Sequence, residues 1–439
     1  GDGVHRYTYR DLKGRVNRLC NALEGLGVGK GDRVGTFGWN TYRHLEAYFA
    51  PPTMGAVTHT TNIRLSPDDL TYIVNHAGDK TSLPSAHIYE DLLEGASDIY
   101  DRPALDENDP AGLCYTSATT GRPKGVTYTH RAQILHAMME CSADSAGVRE
   151  RDVVMAVVPM FHANSWGVPY SATMTGATQV LTGVRPDPAS ICRLINDHRV
   201  SISLGVPTIW VGMLDFLSRT EEEFDLSCLR MVVSGGSAVP RSMIQAFKER
   251  LDIELVQAYG MTEATPLVSF NRMGSHLDGL GDEDRLTEQG KQGTPVYGVE
   301  MRVVDENGVD LDWDGEQRGE LLFRGPWIAA EYLNDPRSDE TFIDGWYHSG
   351  DIASLDRWGN IQIGDRVKDM ERPIACVVAN AEYRDSLDKG EVLDFIRPRF
   401  ASWWIPDDVV FIDEIPKTSV GKFDKKVLRD RFQDHQAGR

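Results

Sequence analysis

The chain has 439 residues, enough for about three compact units with a large buried core. Asp and Glu number 66 against 46 Lys and Arg, and the net charge of −20 argues against a nucleic-acid surface or a polybasic membrane patch. No apolar run reaches the roughly eighteen residues of a membrane span, and the six cysteines are dispersed without a Cys-x-x-Cys pair. We therefore expect a soluble cytoplasmic protein, with no membrane span and no nucleic-acid partner, that can still bind small anions in local cationic pockets.

Helices and strands alternate over much of the chain. Apolar residues at steps of four and three predict a first helix that ends at Gly27: Leu12, Val16, Leu19, Leu23 and Leu26. Further elements follow in chain order: strands over 33–37, 56–61, 153–158 and 201–204, and helices over 42–49 and 189–198. This alternation predicts an α/β fold with buried parallel sheets.

The pattern of predicted elements changes near residue 293. Short extended stretches over 300–304 and 319–324 are separated by Asn307-Gly308 and Asp314-Gly315 turns, which indicates a small β-rich unit. We expect this unit to cover about 293–364. A separate small region, both basic and apolar, follows Gly364.

A loop rich in hydroxyl groups and glycine follows the apolar stretch 111–114. From Tyr115 to Val126 it offers four Ser and Thr hydroxyls, two glycines and one lysine, which can direct N–H, O–H and ammonium donors at a polyphosphate. It differs from the P-loop of NTPases, because its lysine follows Pro123 and no helix opens directly behind it. A Ser/Thr-rich surface turn is the alternative interpretation.

This loop resembles the signature Tyr-Thr-Ser-Gly-Thr-Thr-Gly-x-Pro-Lys-Gly of the adenylate-forming superfamily, which includes acyl-CoA synthetases, luciferases and peptide-synthetase adenylation domains. One position departs, since Ala118 stands where the family has Gly, and a methyl group would strain the backbone if φ there were positive. The resemblance implies that the loop binds the phosphates of ATP through Thr116, Ser117, Thr119, Thr120, Gly121 and Lys124.

Two further stretches resemble nucleotide motifs of that family in the family's order. Residues 259–263 resemble Tyr-Gly-x-Thr-Glu, in which the ring flanks adenine and Glu263 would hold Mg²⁺ together with Thr116. Residues 234–238 resemble the glycine turn that packs against adenine and the acyl chain, although a plain strand-to-helix turn would also explain the glycines. The implied nucleotide contacts are Gly236, Ser237, Gln257, Ala258, Tyr259, Gly260 and Thr262.

The last motifs lie towards the C-terminus. Residues 347–351 resemble the aromatic-x-Thr/Ser-Gly-Asp motif, whose carboxylate, here Asp351, accepts hydrogen bonds from the ribose hydroxyls. Residues 365–369 resemble the hinge between a large and a small domain, which places Arg366 and Lys368 near the nucleotide. Residues 416–426 resemble the C-terminal signature, in which Lys422 reaches the α-phosphate and the substrate carboxylate. Without the resemblance, the alternative interpretations are a turn for 347–351, a solvent-exposed run of charges for 365–369 and a lysine-rich surface tail for 416–426.

Residues 158–167 distinguish between branches of the superfamily. They resemble the medium- and long-chain fatty-acyl-CoA synthetases, in which His162 lines the carboxylate end and Trp166 gates the acyl tunnel. Amino-acid adenylation domains carry an Asp here, and this stretch has none. A buried core histidine and a core tryptophan are the structural alternatives. The implied acyl contacts are His162, Trp166, Val206, Gly235, Gly260 and Met261.

The resemblance implies an α/β fold: a large N-terminal domain over 1–364, made of two α/β subdomains and a small β-barrel, followed by a mobile α+β lid domain over 365–439. Compared with the family pattern, a loop, a helix and a strand are missing after Met370, so the lid is incomplete there. A second segment is similarly missing within 81–85.

The implied activity is that of an ATP-dependent acyl-CoA ligase with Mg²⁺ and coenzyme A, in which Lys422, His162 and Glu263 are catalytic. The acid would be a fatty acid or a short thioether acid such as 3-methylmercaptopropionate. A homodimer is compatible with the resemblance. The alternatives are a non-catalytic nucleotide-binding relative, motivated by Ala118 and the missing segments, and a luciferase-like or carrier-loading adenylating enzyme.

Overall fold

The fold is taken from a computed structural model of the chain. It describes residues 4–80, 87–116, 122–366, 374–380, 383–384, 386–396, 406, 408–417 and 423–432. Among these residues, no helix is long and apolar enough to cross a membrane.

The N-terminal part forms a four-stranded sheet in the order β1-β2-β3-β4. Its strands are β1 (Arg33–Thr36), β2 (Val57–Thr60), β3 (Pro110–Tyr115) and β4 (Gly125–Thr129). The first three are parallel, and β4 returns antiparallel to β3. Five helices accompany this sheet in the chain: α1 (Tyr9–Gly25), α2 (Tyr42–Thr53), α3 (Pro67–Ala77), α4 (Tyr89–Leu93) and α5 (His130–Glu140).

The middle of the chain forms a seven-stranded sheet in the order β11-β10-β9-β8-β7-β5-β6. Its strands are β5 (Val153–Ala156), β6 (Thr178–Gln179), β7 (Ile202–Gly205), β8 (Met231–Gly235), β9 (Glu254–Gly260), β10 (Leu267–Phe270) and β11 (Thr294–Pro295). Strands β5 to β9 are parallel, whereas β10 and β11 are antiparallel. Its helices are α6 (Val168–Thr175), α7 (Pro188–His198), α8 (Pro207–Arg219), α9 (Arg241–Leu251) and α10 (Asp282–Gln289).

An antiparallel sheet follows, and then a short C-terminal unit. The antiparallel sheet contains β12 (Glu300–Val304), β13 (Gly319–Arg324), β14 (Phe342–Ile343), β15 (Trp346–Leu355) and β16 (Ile361–Arg366), with helix α11 (Ser338–Thr341). The C-terminal unit pairs β17 (Ile374–Val377) in parallel with β18 (Asp408–Phe411) and contains helices α12 (Lys389–Ile396) and α13 (Lys425–Phe432).

Two buried clusters explain how the sheets pack. Helices α7, α8 and α9 cover one face of the seven-stranded sheet around the fully buried Trp210 and Phe247. The other cluster combines residues of all three large sheets: Val126 and Tyr128, Val233 and Val256, Leu321 and Phe323. Because one apolar cluster is shared, side chains from three separate segments of sequence can meet in one site.

A buried ion pair lies at the start of β5. Asp152 accepts hydrogen bonds from Arg230 Nε at 3.1 Å, Arg230 Nη2 at 3.0 Å and Ser201 Oγ at 2.8 Å. Burial opposes ionisation, but these bonds outweigh it and lower the pKa of Asp152. This pair stands at the amino end of the parallel strands.

The predicted α/β alternation is confirmed, with one difference in strand direction. Strands β4 and β10 are antiparallel to β3 and β9, because each follows its partner in the chain without an intervening α-helix crossover. Strand β11 pairs antiparallel with β10 after helix α10. Strands β12 and β13 have the predicted limits, whereas α2 runs past the predicted residue 49 because the carbonyls of its last turn still accept backbone bonds from Met54 and Gly55. The missing segments inferred near 81–85 and after Met370 fall outside the described residues.

Candidate active site

The sequence motifs meet at the carboxyl ends of the parallel strands. The phosphate loop follows β3, residues 158–167 follow β5, Val206 follows β7, the glycine turn follows β8, and residues 259–263 end β9. In α/β sheets this edge is where ligands bind, because loops from neighbouring strands converge there. The predicted nucleotide and acyl residues therefore share one edge of the molecule.

A buried carboxylate lies at the centre of this edge. Glu263, in a 3₁₀ turn over Thr262–Ala264, is only 5% exposed. The Tyr332 hydroxyl donates to Glu263 Oε1 at 2.7 Å, and Lys124 Nζ lies 3.7 Å from the same oxygen. Lys124 Nζ also donates to the Tyr332 hydroxyl at 2.7 Å. A lysine of the phosphate loop, a tyrosine and a carboxylate thus form one chain of hydrogen bonds, which we call the Glu263 centre.

The environment perturbs the pKa values of both partners of Glu263. Burial lowers the pKa of Lys124, and the attraction of Glu263 acts in the opposite direction. Burial, reinforced by Glu263, raises the pKa of the Tyr332 hydroxyl, so this group stays protonated and can donate.

The base of the phosphate loop is closed by two hydrogen bonds. Thr116 N donates to Lys124 O at 3.0 Å, and Lys124 N donates to Thr116 Oγ1 at 3.2 Å. Thr116 and Glu263 therefore stand on either side of Lys124, one bonded to its backbone and the other beside its ammonium group. A hydroxyl and a buried carboxylate that already attracts a cation form a donor set that fits Mg²⁺.

The nucleotide wall joins two sheets. Tyr259, near the end of β9, donates from its hydroxyl to Asp351 Oδ2 at 2.7 Å, and Asp351 is 7% exposed. Gln257 Oε1 accepts from Val239 N at 3.1 Å, which fixes the loop after the glycine turn. The predicted adenine-flanking ring and the predicted ribose carboxylate are therefore in direct contact.

Glycine is required at two positions of this wall. A Cβ at Gly235 would lie 2.6 Å from Ala258 O, and one at Gly260 would lie 2.0 Å from Pro266 O. Both distances are shorter than real Cβ contacts, so backbone segments approach closely here.

The predicted acyl side contains an unusual turn. Ala163, Asn164, Ser165 and Trp166 have φ of 43°, 49°, 52° and 58°, and Gly167 follows at 82°. A run of left-handed L residues is sterically unfavourable, so contacts elsewhere must hold it. Asn164 Oδ1 accepts from Cys114 Sγ at 3.1 Å, and Ser165 Oγ donates to Val158 O at 2.9 Å. The Trp166 ring lies beside Gly235, where an added Cβ would be 3.4 Å from it.

A cavity of about 290 Å³ opens beside Val206. Its lining includes Val206, Trp39, Arg64 and Arg185, and both guanidinium groups lie over the Trp39 ring, at 5.0 and 5.9 Å from its centroid. Burial, and then the like charge of Arg185, lower the pKa of Arg64. Two cations that face one cavity in a chain of net charge −20 make this cavity suited to an anionic group.

Some of the predicted site residues lie within the described part of the chain and others do not. Ser117, Thr119, Thr120, Gly121, Lys368 and Lys422 lie outside the described residues, as does Ala118. Arg366 ends β16, and its backbone pairs with that of Asp351. His162 is buried next to the left-handed turn, Gly236 has a φ of 80°, and Ser237, Ala258 and Met261 lie on the same strand ends. Thr262 O accepts from the Tyr128 hydroxyl at 2.7 Å.

Sequence reasoning missed several residues of this site. Tyr332 and Tyr128 contact the Tyr-Gly-Met-Thr-Glu motif, and Arg64 and Arg185 converge on one cavity. These residues carry no local signature, because their partners are distant in sequence.

Comparison with known proteins decides the family. The model of the AMP-binding enzyme family matches residues 2–333, and that of the AMP-binding enzyme C-terminal domain matches residues 363–422. The chain belongs to the AMP-binding enzyme family. The resemblance to adenylate-forming enzymes that the motifs indicated is confirmed.

Curated relatives extend over nearly the whole chain. A long-chain-fatty-acid–CoA ligase of Thermus thermophilus is 40% identical, with 99% of this chain and 92% of that protein covered. A medium-chain-fatty-acid–CoA ligase of Ectopseudomonas oleovorans is 36% identical, covering 98% and 91%, and a 3-methylmercaptopropionyl-CoA ligase of Ruegeria lacuscaerulensis is 35% identical, covering 99% and 93%. The first alignment spans 501 positions, so the 439 residues of this chain are aligned with gaps.

Solved structures confirm the predicted fold. A benzoate CoA ligase from Burkholderia xenovorans matches with a TM-score of 0.84 at 25% identity, covering 96% of this chain and 94% of that one. The anthranilate CoA ligase AuaEII, in complex with anthranoyl-AMP, matches with a TM-score of 0.85 at 22% identity, covering 97% and 92%.

The buried carboxylate of Asp351, which accepts from Tyr259, is expected to contribute to ATP binding. Asp351→Asn replaces a buried charged acceptor, and since a hydrogen bond to a charged group contributes about 1.5–3 kcal/mol, ATP should bind about tenfold or more weakly. Isothermal titration with Mg-ATP measures this directly. The control is Asp310→Asn, which alters an exposed ion pair with Arg302 on the same antiparallel unit. Equal ATP affinity in Asp351→Asn and the wild-type protein would contradict the assignment of Asp351.

Proposed function

We propose that the chain is an ATP-dependent acyl-CoA ligase. It activates a carboxylic acid as an acyl adenylate and transfers the acyl group to coenzyme A, with release of pyrophosphate and AMP. The Glu263 centre is the observation that carries this proposal, because it joins Lys124 of the phosphate loop to the motif that also carries Tyr259 of the nucleotide wall. The sequence identity of 35–40% to named CoA ligases over nearly the full chain supports it.

In the first half-reaction, an oxygen of the substrate carboxylate attacks the α-phosphorus of ATP, and the bond from that phosphorus to pyrophosphate breaks. Thr116 and Glu263 would hold Mg²⁺, which neutralises phosphate charge when bound. Lys124 adds a cation at the base of the loop, and Lys422 is proposed to reach the α-phosphate. His162 is proposed to line the carboxylate end. Most of the rate acceleration comes from positioning and charge stabilisation.

In the second half-reaction, the sulfur of coenzyme A attacks the carbonyl carbon of the acyl adenylate. The carbon–sulfur bond forms, the bond from carbon to the AMP oxygen breaks, and AMP and the thiol proton are released to solvent. We propose that the lid domain over 365–439 rotates between the two steps, because Lys422 is required for the first step and another face for the second. The cavity with Arg64 and Arg185 is the proposed site for coenzyme A, since this substrate carries phosphate groups that two guanidinium groups would bind.

The proposed substrates are fatty acids or a short thioether acid such as 3-methylmercaptopropionate. The names of the curated relatives support this range. The Trp166 ring beside Gly235 would give an acyl chain an apolar surface. A homodimer and a cytoplasmic location remain predictions from the sequence. No observation on the described residues favours the luciferase-like or the carrier-loading alternative.

The activity is tested with a panel of acids from hexanoate to palmitate and 3-methylmercaptopropionate. The wild-type protein should release pyrophosphate only with an acid and ATP, and AMP should follow when coenzyme A is added. Lys422→Ala should lower the rate of pyrophosphate release about 10²–10³-fold, because it removes a fixed donor at developing negative charge. Lys389→Ala, which alters an exposed pair with Asp408 in the same C-terminal unit, is the control.

Two results would contradict this proposal. ATP binding without pyrophosphate release on any acid would favour the non-catalytic alternative. Unchanged adenylation in Lys422→Ala would remove the role given to that lysine.

The cationic cavity generates a separate prediction for the second half-reaction. Arg185→Gln should raise the KM for coenzyme A about tenfold or more, because a charged contact is lost, and should leave acid-dependent pyrophosphate release near the wild-type rate. Arg219→Gln, an exposed arginine at the end of α8, is the control. An unchanged KM for coenzyme A in Arg185→Gln would place the coenzyme elsewhere.

A further inference from the structure

Helix α5 carries two buried polar residues that belong to none of the motifs. His136 is 1% exposed and Glu140 is 4% exposed. They are four residues apart, so they lie on the same face of the helix, one turn from each other. Buried Glu and His side chains are uncommon without a partner or a task.

Both side chains pack closely on Gly167, which ends the left-handed turn. A Cβ at Gly167 would lie 2.6 Å from Cε1 and Nδ1 of His136 and 3.1 Å from Glu140 Oε2. Gly167 has a φ of 82°, and the four residues before it are L residues in the same unfavourable region. Contacts from outside the turn must hold this backbone, and His136 and Glu140 pack closely on Gly167, the residue after Trp166.

His136 also contacts the segment that follows the Glu263 motif. Leu267 N donates to His136 Nε2 at 3.3 Å, and Leu267 O accepts from Trp327 Nε1 at 3.0 Å. The Trp327 ring stands edge-on to His136, with 6.1 Å between ring centroids. One imidazole therefore joins the acyl-side turn to the first residue of β10, four residues after Glu263.

The groups around Glu140 favour its neutral form. Burial raises the pKa of Glu140 to about 8, and a hydrogen bond from Ser171 acts in the opposite direction. Among the described residues, Glu140 Oε2 has no hydrogen-bond partner. The titratable groups beside it are His136, whose pKa burial lowers to about 3, and Cys141, whose pKa burial and then Glu140 raise to about 11. Neither is a cation near pH 8, so ionisation there leaves a buried carboxylate uncompensated.

We propose that His136 and Glu140 are positioning residues of the acyl site, which hold the left-handed turn and its Trp166 in place. The inference rests on the proposed ligase function for the meaning of Trp166. Ionisation of Glu140 should loosen the turn. The affinity for the acid therefore decreases as pH rises through the range in which Glu140 ionises, and the affinity for ATP decreases less. The sign follows from burial, because the proton that stabilises the folded turn is lost on going to alkaline pH.

The kinetic test compares wild type, Glu140→Gln and Glu140→Ala at pH 7 and pH 9. Glu140→Gln keeps the neutral shape, so its KM for the acid should match the wild type at pH 7 and stay constant to pH 9, while the wild-type KM rises about tenfold. Glu140→Ala should raise the KM for the acid about tenfold at both pH values, with a smaller change in the KM for ATP. A common pH profile for all three proteins, or an unchanged acid KM in Glu140→Ala, would overturn the proposal.

Hydrogen–deuterium exchange tests the same claim without catalysis. Peptides that cover residues 160–170 should exchange faster in Glu140→Ala than in wild type at pH 7. Between pH 7 and pH 9 the wild type should become faster relative to Glu140→Gln. If no acid supports pyrophosphate release, the ligase proposal fails while this measurement still decides the positioning role. Equal exchange of the turn in all three proteins would refute that role.

Asp152→Asn is the matched control for loss of stability. Asp152 is also a buried carboxylate, but it pairs with Arg230 at the opposite end of the parallel strands. This substitution should lower the Tm without changing the acid KM or the exchange of residues 160–170. If it changes them as much as Glu140→Ala does, the effect of Glu140 is general destabilisation and the proposal is wrong.

Discussion

The arrangement of the molecule depends on one buried carboxylate, Glu263, that faces a lysine. A buried charge is costly unless opposite charge and hydrogen bonds compensate it. Here the compensation comes from two distant parts of the chain, since Lys124 belongs to the phosphate loop and Tyr332 lies beyond β13. The four-stranded sheet, the seven-stranded sheet and the antiparallel unit therefore all contribute to one centre. That convergence places a phosphate loop, a nucleotide wall and an acyl-side turn within one site.

The acyl side also depends on buried polar groups from distant segments, which here hold a turn instead of a charge. Its left-handed turn is held by buried polar groups, with Asn164 bonded to Cys114 on one side and Gly167 packed on His136 and Glu140 on the other. Because His136 also accepts from Leu267, the turn and the segment after Glu263 share a neighbour. The two substrates would thus be positioned by one connected set of buried contacts.

Local chemistry explains what the sequence could predict. Helix α7 begins at Pro188 after an Asp187 cap, and β12 and β13 are separated by Asx-Gly turns, so their limits follow from nearby residues. The motif residues Tyr259, Glu263 and Asp351 could be named because their spacing is characteristic of the family. The left-handed turn could not be predicted, since the residue types at 163–166 do not disclose a positive φ. Tyr332 and Glu140 were missed because their roles come from contacts with segments that are remote in sequence.

The most direct test of the central claim is the effect of Mg²⁺ on ATP binding to the wild type and to Glu263→Gln, measured by isothermal titration with and without the metal. If Glu263 holds Mg²⁺ against the phosphates, Mg²⁺ should strengthen ATP binding about tenfold or more in the wild type, because the carboxylate and the phosphates would ligate the metal together. In Glu263→Gln most of that gain should be lost. The same gain from Mg²⁺ in both proteins would contradict the account.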